Sequence, residues 1–127
     1  MRKSIRYGRI SSIDPSRMTA KVLFDDEDNT VSDELNIIVR NSKDNKDYAL
    51  PDIGEHVVCL FLDNDRSTGF ILGAVYSRNN LPVHNDPNVR ALNFGDGNSI
   101  EFNRATGNFI LNCKGDFIVN AKNIRLN

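Results

Sequence analysis

Between Asn98 and Asn127 apolar residues recur at every second position. Ile100 and Phe102 are followed by Phe109, Leu111 and Cys113, then by Phe117, Val119 and Ala121, then by Ile124 and Leu126. The intervening positions are mostly polar, among them Glu101, Asn112, Asp116, Asn120, Lys122, Asn123 and Arg125. A period of two predicts β-strands with one buried face and one wet face. Turn formers at Asp96-Gly97-Asn98, Ala105-Thr106-Gly107 and Lys114-Gly115-Asp116 cut the run into about four short strands. A meander of that size is too small to bury its own apolar face. Either the rest of the chain covers that face, or copies of the chain cover one another.

The first half reads as a self-contained set of strands. Residues 5–14 form one strand, stopped by the turn signal Asp14-Pro15-Ser16, and Thr19 to Phe24 returns as its hairpin partner. Glu34 to Arg40 supplies a third strand, and Asn41 to Asp47 reads as a polar, mobile loop. Val57 to Leu62 and Gly69 to Tyr76 are near-continuously apolar, which predicts strands buried within a closed barrel. No stretch carries a helical period. The expected architecture is all-β: a five-stranded OB-type barrel over residues 1–77, a linker over 78–95, and a separate set of short alternating strands over 96–127.

Candidate chemistry is sparse. Sixteen basic residues against seventeen acidic ones give no electrostatic reason to bind nucleic acid or an anionic membrane. Asp25 to Asn29 is acidic enough to suggest calcium but lacks the alternating ligand spacing and the mid-loop glycine. Asp63, Asp65 and Ser67 alternate like calcium ligands but have Thr68 where the sharp-turn glycine should stand and no acid to close the loop, so the two read as a solvated loop and a hairpin turn. His56 and His84 lie in no metal-ligand motif, and no nucleophile elbow or phosphate-cradling glycine loop is present. Cys59 and Cys113 sit in apolar strand contexts and read as small core residues. No apolar run follows Met1-Arg2-Lys3, so neither a signal peptide nor a membrane span is expected. The expectation is a non-enzyme without cofactor or metal, doing mechanical or assembly work.

Several ordered motifs resemble one family. Leu50-Pro51-Asp52-Ile53-Gly54-Glu55-His56-Val57-Val58, then Gly69-Phe70-Ile71-Leu72-Gly73-Ala74-Val75-Tyr76, then Pro82, resemble the "P-x-x-G-E-x-V … G-x-x-L-G-x-x-Y … P" pattern of phage baseplate assembly protein V. That family forms the central spike of contractile tails and is related to the spikes of type VI secretion and of phage-tail-like bacteriocins. Tyr7 to Pro15 resembles its opening strand and turn, and Asp96-Gly97-Asn98-Ser99-Ile100-Glu101-Phe102 resembles the entry to its spike.

The resemblance implies a homotrimer in which an OB barrel is followed, over residues 96–127, by a β-prism or β-helix whose strands intertwine around a threefold axis. The trimer core would then be Ile100, Phe102, Phe109, Leu111, Cys113, Phe117, Val119, Ala121, Ile124 and Leu126. A closed three-chain prism leaves no lateral strand edges. Its implied partners are tail-tube and baseplate hub proteins, with transient contact to the target cell envelope and no nucleic acid. Its implied location is a virion or phage-tail-like particle assembled from protein made in the bacterial cytoplasm. The His-x-His apex metal site of some relatives has no counterpart here, nor does their lysozyme module. With strands about 4.8 Å apart the prism would reach only ~20–30 Å, short of the roughly 40 Å of a bilayer with its headgroups. Ile124, Leu126 and Asn127 would therefore contact a separate PAAR-like tip protein. The competing reading is a monomeric OB-fold module for nucleic acid or carbohydrate, and a weaker one is a small secreted enzyme.

Overall fold

The computed structural model describes residues 4–26, 29–62 and 68–127. The two acidic stretches weighed as calcium loops fall partly or wholly outside these residues. The chain divides into two units, Met1–Leu81 and Pro82–Asn127, and every described element is a β-strand, turn or irregular segment.

The first unit is a closed five-stranded barrel. β1 (Ile5–Asp14), β2 (Thr19–Phe24), β4 (Leu35–Ile37), β5 (His56–Phe61) and β6 (Gly69–Ala74) build the wall, and the two-residue β3 (Thr30–Val31) adds outside β2. Around the barrel the order is β1-β2-β4-β6-β5 and back to β1. All neighbours are antiparallel except β4 and β6, which run parallel through Asn36↔Phe70 and Ile37↔Ile71. This closed order is compatible with an OB-type barrel. β4 is shorter than the strand expected over Glu34–Arg40, because its ladders end at Ile37; one further bond, Ile38 N–H to the Ile71 carbonyl at 3.0 Å, continues the edge.

Alternation along each strand sends one residue in two to the interior. Ile10, Ala20, Val22, Phe24, Leu35, Val57, Cys59, Phe61 and Ile71 form the core. The rings of Phe24 and Phe61 meet edge to face with centroids 5.8 Å apart, a favoured aromatic geometry. Arg6 is the unusual inward residue. Its guanidinium lies 3.7 Å from the Phe24 ring centroid and 3.8 Å from the Asp26 carboxylate, so its charge is met by a π face and an acid. The Cys59 thiol sits among these residues, and burial pushes its pKa up to about 12 despite the opposing charge of Arg6.

The loops are closed by specific bonds. Asp14 Oδ1 accepts from both the N–H and the hydroxyl of Ser16, which holds that carboxylate below its usual range. The loop expected to be mobile, Asn41–Asp47, is tied at its ends: Arg40 Nε donates to Asp47 at 3.0 Å, and the Asp47 N–H donates to the Asn41 carbonyl. The Pro51–Glu55 turn owes its sequence to geometry. Gly54 has φ of 91°, Glu55 Oε1 accepts from the Asp52 N–H at 2.8 Å, and the Gly54 N–H and Glu55 carbonyl both bond to Ile10 on β1. These residues of the resemblance motif seal one end of the barrel wall.

The near-continuous apolar character of β5 and β6 is not matched by burial on both faces. Val57, Cys59 and Phe61 point inward and are buried, whereas Val58, Leu60 and Phe70 are half-buried and Leu72 is exposed. A closed barrel has an outside, and these residues lie on it.

Candidate assembly surface

The second unit contains a three-stranded antiparallel sheet, β7 (Val89–Gly95), β8 (Asn98–Asn103) and β9 (Phe109–Asn112), in that order. β7 lies inside the stretch expected as linker. Its entry is built by side chains: Asp86 Oδ1 accepts from the Asn88 N–H, and Arg90 and Arg104 both donate to the Pro87 carbonyl, at 2.8 and 3.0 Å. The β7–β8 connection has positive φ at both central residues, Asp96 (53°) and Gly97 (82°). This is the signature of the Asp-Gly two-residue hairpin, whose twist matches that of the flanking strands. At the next corner Asn103 Oδ1 accepts from the Ala105 N–H at 2.9 Å, and the Gly107 N–H returns to the Asn103 carbonyl.

Register sorts the side chains onto two faces. Leu92, Ile100 and Leu111 are paired across the three strands, and Phe102 pairs with Phe109 in the adjacent row, their ring centroids 6.4 Å apart. Phe94 sits at the irregularity between Asn93 and Gly95. The other face carries Ala91, Asn93, Ser99, Glu101, Ile110 and Asn112, joined by an Asn112 to Ser99 hydrogen bond of 3.1 Å. There His84 Nε2 also approaches Glu101 at 3.5 Å. One face is therefore apolar except for Arg90, which pairs with Phe102 at its edge, and the other is largely polar.

The apolar face is not buried by the residues of its own unit. Leu92 and Phe94 are 64% and 65% exposed, Phe109 is 67% exposed, and no residue from 82 to 127 is buried. β7 and β9 are both edge strands, with backbone donors and acceptors turned outward. Beyond β9 the Lys114 N–H donates to Asn98 Oδ1 at 2.9 Å. From there to Asn127 the chain joins no strand, and Phe117, Val119, Ala121, Ile124, Leu126 and Asn127 are all exposed.

The expected tail residues thus fall into two groups. Ile100, Phe102, Phe109 and Leu111 share one sheet face. Cys113, Phe117, Val119, Ala121, Ile124 and Leu126 lie beyond the last strand, so the strands expected over 117–121 and 124–126 do not form within one chain. Cys113, expected as a core residue, is exposed, whereas Cys59 is buried. A strand exists only where a neighbour completes its hydrogen bonds, and a single chain supplies none here. Sequence reasoning missed Leu92 and Phe94; their own two-residue spacing just before Gly95-Asp96-Gly97 was the available signal. Among the described residues no group of three or more His, Cys, Asp or Glu could hold a metal ion. Compared with models of known protein families and with curated proteins, the chain has no significant match.

Proposed function

We propose that this chain is the central spike protein of a contractile phage tail or phage-tail-like particle, a structural protein that assembles as a homotrimer. The observation that carries the reading is the unpartnered apolar face of β7–β9, continued by fifteen exposed residues, 113–127, with the same alternation. A closed barrel followed by a sheet that cannot complete itself is the layout such a needle needs. Three copies related by a threefold axis would give each tail strand a neighbour on both sides and cover each apolar face. In this reading the barrel meets the tail-tube and baseplate hub proteins, and the tail forms a β-prism that helps breach the target cell envelope. Ile124 and Leu126, the latter 91% exposed, would seat a separate PAAR-like tip protein. The work is mechanical, with no catalytic step.

The test is the mass in solution. Light scattering coupled to size exclusion is expected to give three times the 14.3 kDa chain mass. A monomer at micromolar concentration would overturn the proposal and favour a monomeric OB-type binding module.

A further inference from the structure

The barrel's outer wall is chemically lopsided. Where β1, β5 and β6 run side by side, the outward row Ile5–Leu60–Phe70 is paired across three strands, and Tyr7–Val58 forms the next row. Leu72 is the extra residue at the bulge where β6 slips register against β5, and a bulge re-aims its side chain. Ile5, Tyr7 and Leu72 are 57%, 67% and 42% exposed, and no charge interrupts these six residues. On the opposite wall the outward positions of β2 and β4 include exposed Lys21 and Asn36. An uncharged centre with a tyrosine is the composition of an interface core rather than of ordinary surface.

The size of the patch selects its occupant. The exposed parts of Ile5, Tyr7 and Leu72 amount to roughly 300–400 Å², about the largest patch an ordinary monomer shows. A free-standing complex needs about 800 Å² from each partner. Alone, the patch is too small to recruit a partner from solution. It is sufficient between chains already joined elsewhere, because tethering raises the local concentration to about the millimolar range. A patch without charge also suits packing near a symmetry axis, where every charge would meet its own copies.

We infer that the β1–β5–β6 face of the barrel, with Tyr7 in its last row beside Arg9 and His56, packs against a second copy of this chain, so that the barrels as well as the tails contact one another in the assembly. The inference rests on the trimer reading. It adds a second, weaker contact that forms only once the tail sheets have joined.

The three tyrosines make the test self-calibrated. Tyr7, Tyr48 and Tyr76 are 67%, 68% and 67% exposed in the single chain, so free chains should be modified evenly. The full-length protein is treated with tetranitromethane, and nitration of each tyrosine is followed by peptide mass spectrometry, alongside light scattering and a full-length Phe117→Asp variant. In the wild-type trimer Tyr7 is expected to react about tenfold or more slowly than Tyr48, since a covered ring reacts only when its contact opens. In a Phe117→Asp monomer Tyr7 should react as fast as Tyr48. A wild-type trimer with Tyr7 and Tyr48 equally reactive would overturn the barrel contact and leave the trimer standing. Protection of Tyr7 that persists in the monomer would assign the cover to the chain's own residues and also overturn it. A wild-type protein that is itself monomeric would remove both readings.

Discussion

The barrel and the tail sheet are built from the same material, short antiparallel strands with alternating side chains, yet only one of them is finished. The barrel curls until β5 meets β1, so every inward residue finds others, and nine apolar side chains become fully or almost fully buried. The β7–β9 sheet stays open. Its apolar face is as rich in leucine and phenylalanine as the barrel core, but none of its residues is buried. What separates the two is closure, not composition. Five wall pairings, closed by β1–β2, give a barrel an inside; three strands in an open sheet do not, and their apolar face stays exposed.

That contrast can be broken most forcefully in the tail. Leu111→Asp or Phe117→Asp should abolish the trimer at micromolar concentration, as read by light scattering, while the far-ultraviolet spectrum of the barrel persists. In the proposed trimer each would lose about 1.5–3 kcal/mol of burial per chain and would place three like charges around the axis. Ile110→Asp is the control: register puts Ile110 opposite Glu101 on the polar face, so its effect on assembly should be clearly smaller. Equal effects at Leu111 and Ile110 would mean that the inner face has been assigned wrongly.

The barrel should fail differently. Phe24 is wholly buried, meets Phe61 edge to face and carries Arg6 over its ring. Phe24→Ala should cost about 3–5 kcal/mol in urea unfolding, more than any single truncation on the outer wall. The loss should be present at all protein concentrations, because this core is completed within one chain. A concentration-dependent loss would show that the barrel too borrows its stability from neighbours.

The two cysteines give the smallest and most discriminating effect. The unfolded Cys59 thiol ionises near 9.0, whereas the folded thiol keeps its proton to about 12. Between those values the unfolded state binds fewer protons, so stability is at its full value below pH 9 and falls as pH rises through the window. The slope is at most about 1.4 kcal/mol per pH unit. Cys59→Ala should flatten this part of the profile relative to the parent protein, whatever its own packing cost. In the same window Cys113 should react readily with a thiol reagent in a Phe117→Asp monomer and slowly in the trimer; equal rates would place Cys113 outside the assembled core.

Much of the barrel was readable from residues alone. The strands Ile5–Asp14 and Thr19–Phe24 carry alternation between hard turn signals, and the structure bounds them at the same residues. Local chemistry is enough there, because Asp14-Pro15-Ser16 forms its turn with its own side chains. The third strand is shorter than its alternation because the β4–β6 pairing ends at Ile37↔Ile71 although β6 itself runs on to Ala74 against β5, and no property of Val39 or Arg40 announces where that pairing ends. Val89–Gly95 was passed over as linker because the prolines and asparagines before it dominate the local signal, although Leu92 and Phe94 show the same alternation as the tail.

The alternation of 98–127 by itself determined that one face of this segment is apolar and that strands are its natural conformation, since period two is a property of the backbone pleat. Sequence order likewise determined that a turn falls at Asp96-Gly97, where both residues take positive φ. Only the tertiary structure decided which alternating segments become strands within a single chain. Closure of β5 against β1 and the parallel pairing of β4 with β6 join residues far apart in sequence, and neither has a local signature. The same long-range accounting leaves residues 113–127 outside every strand: past the Lys114 N–H bond to Asn98 Oδ1 they join no ladder, and their apolar side chains are exposed.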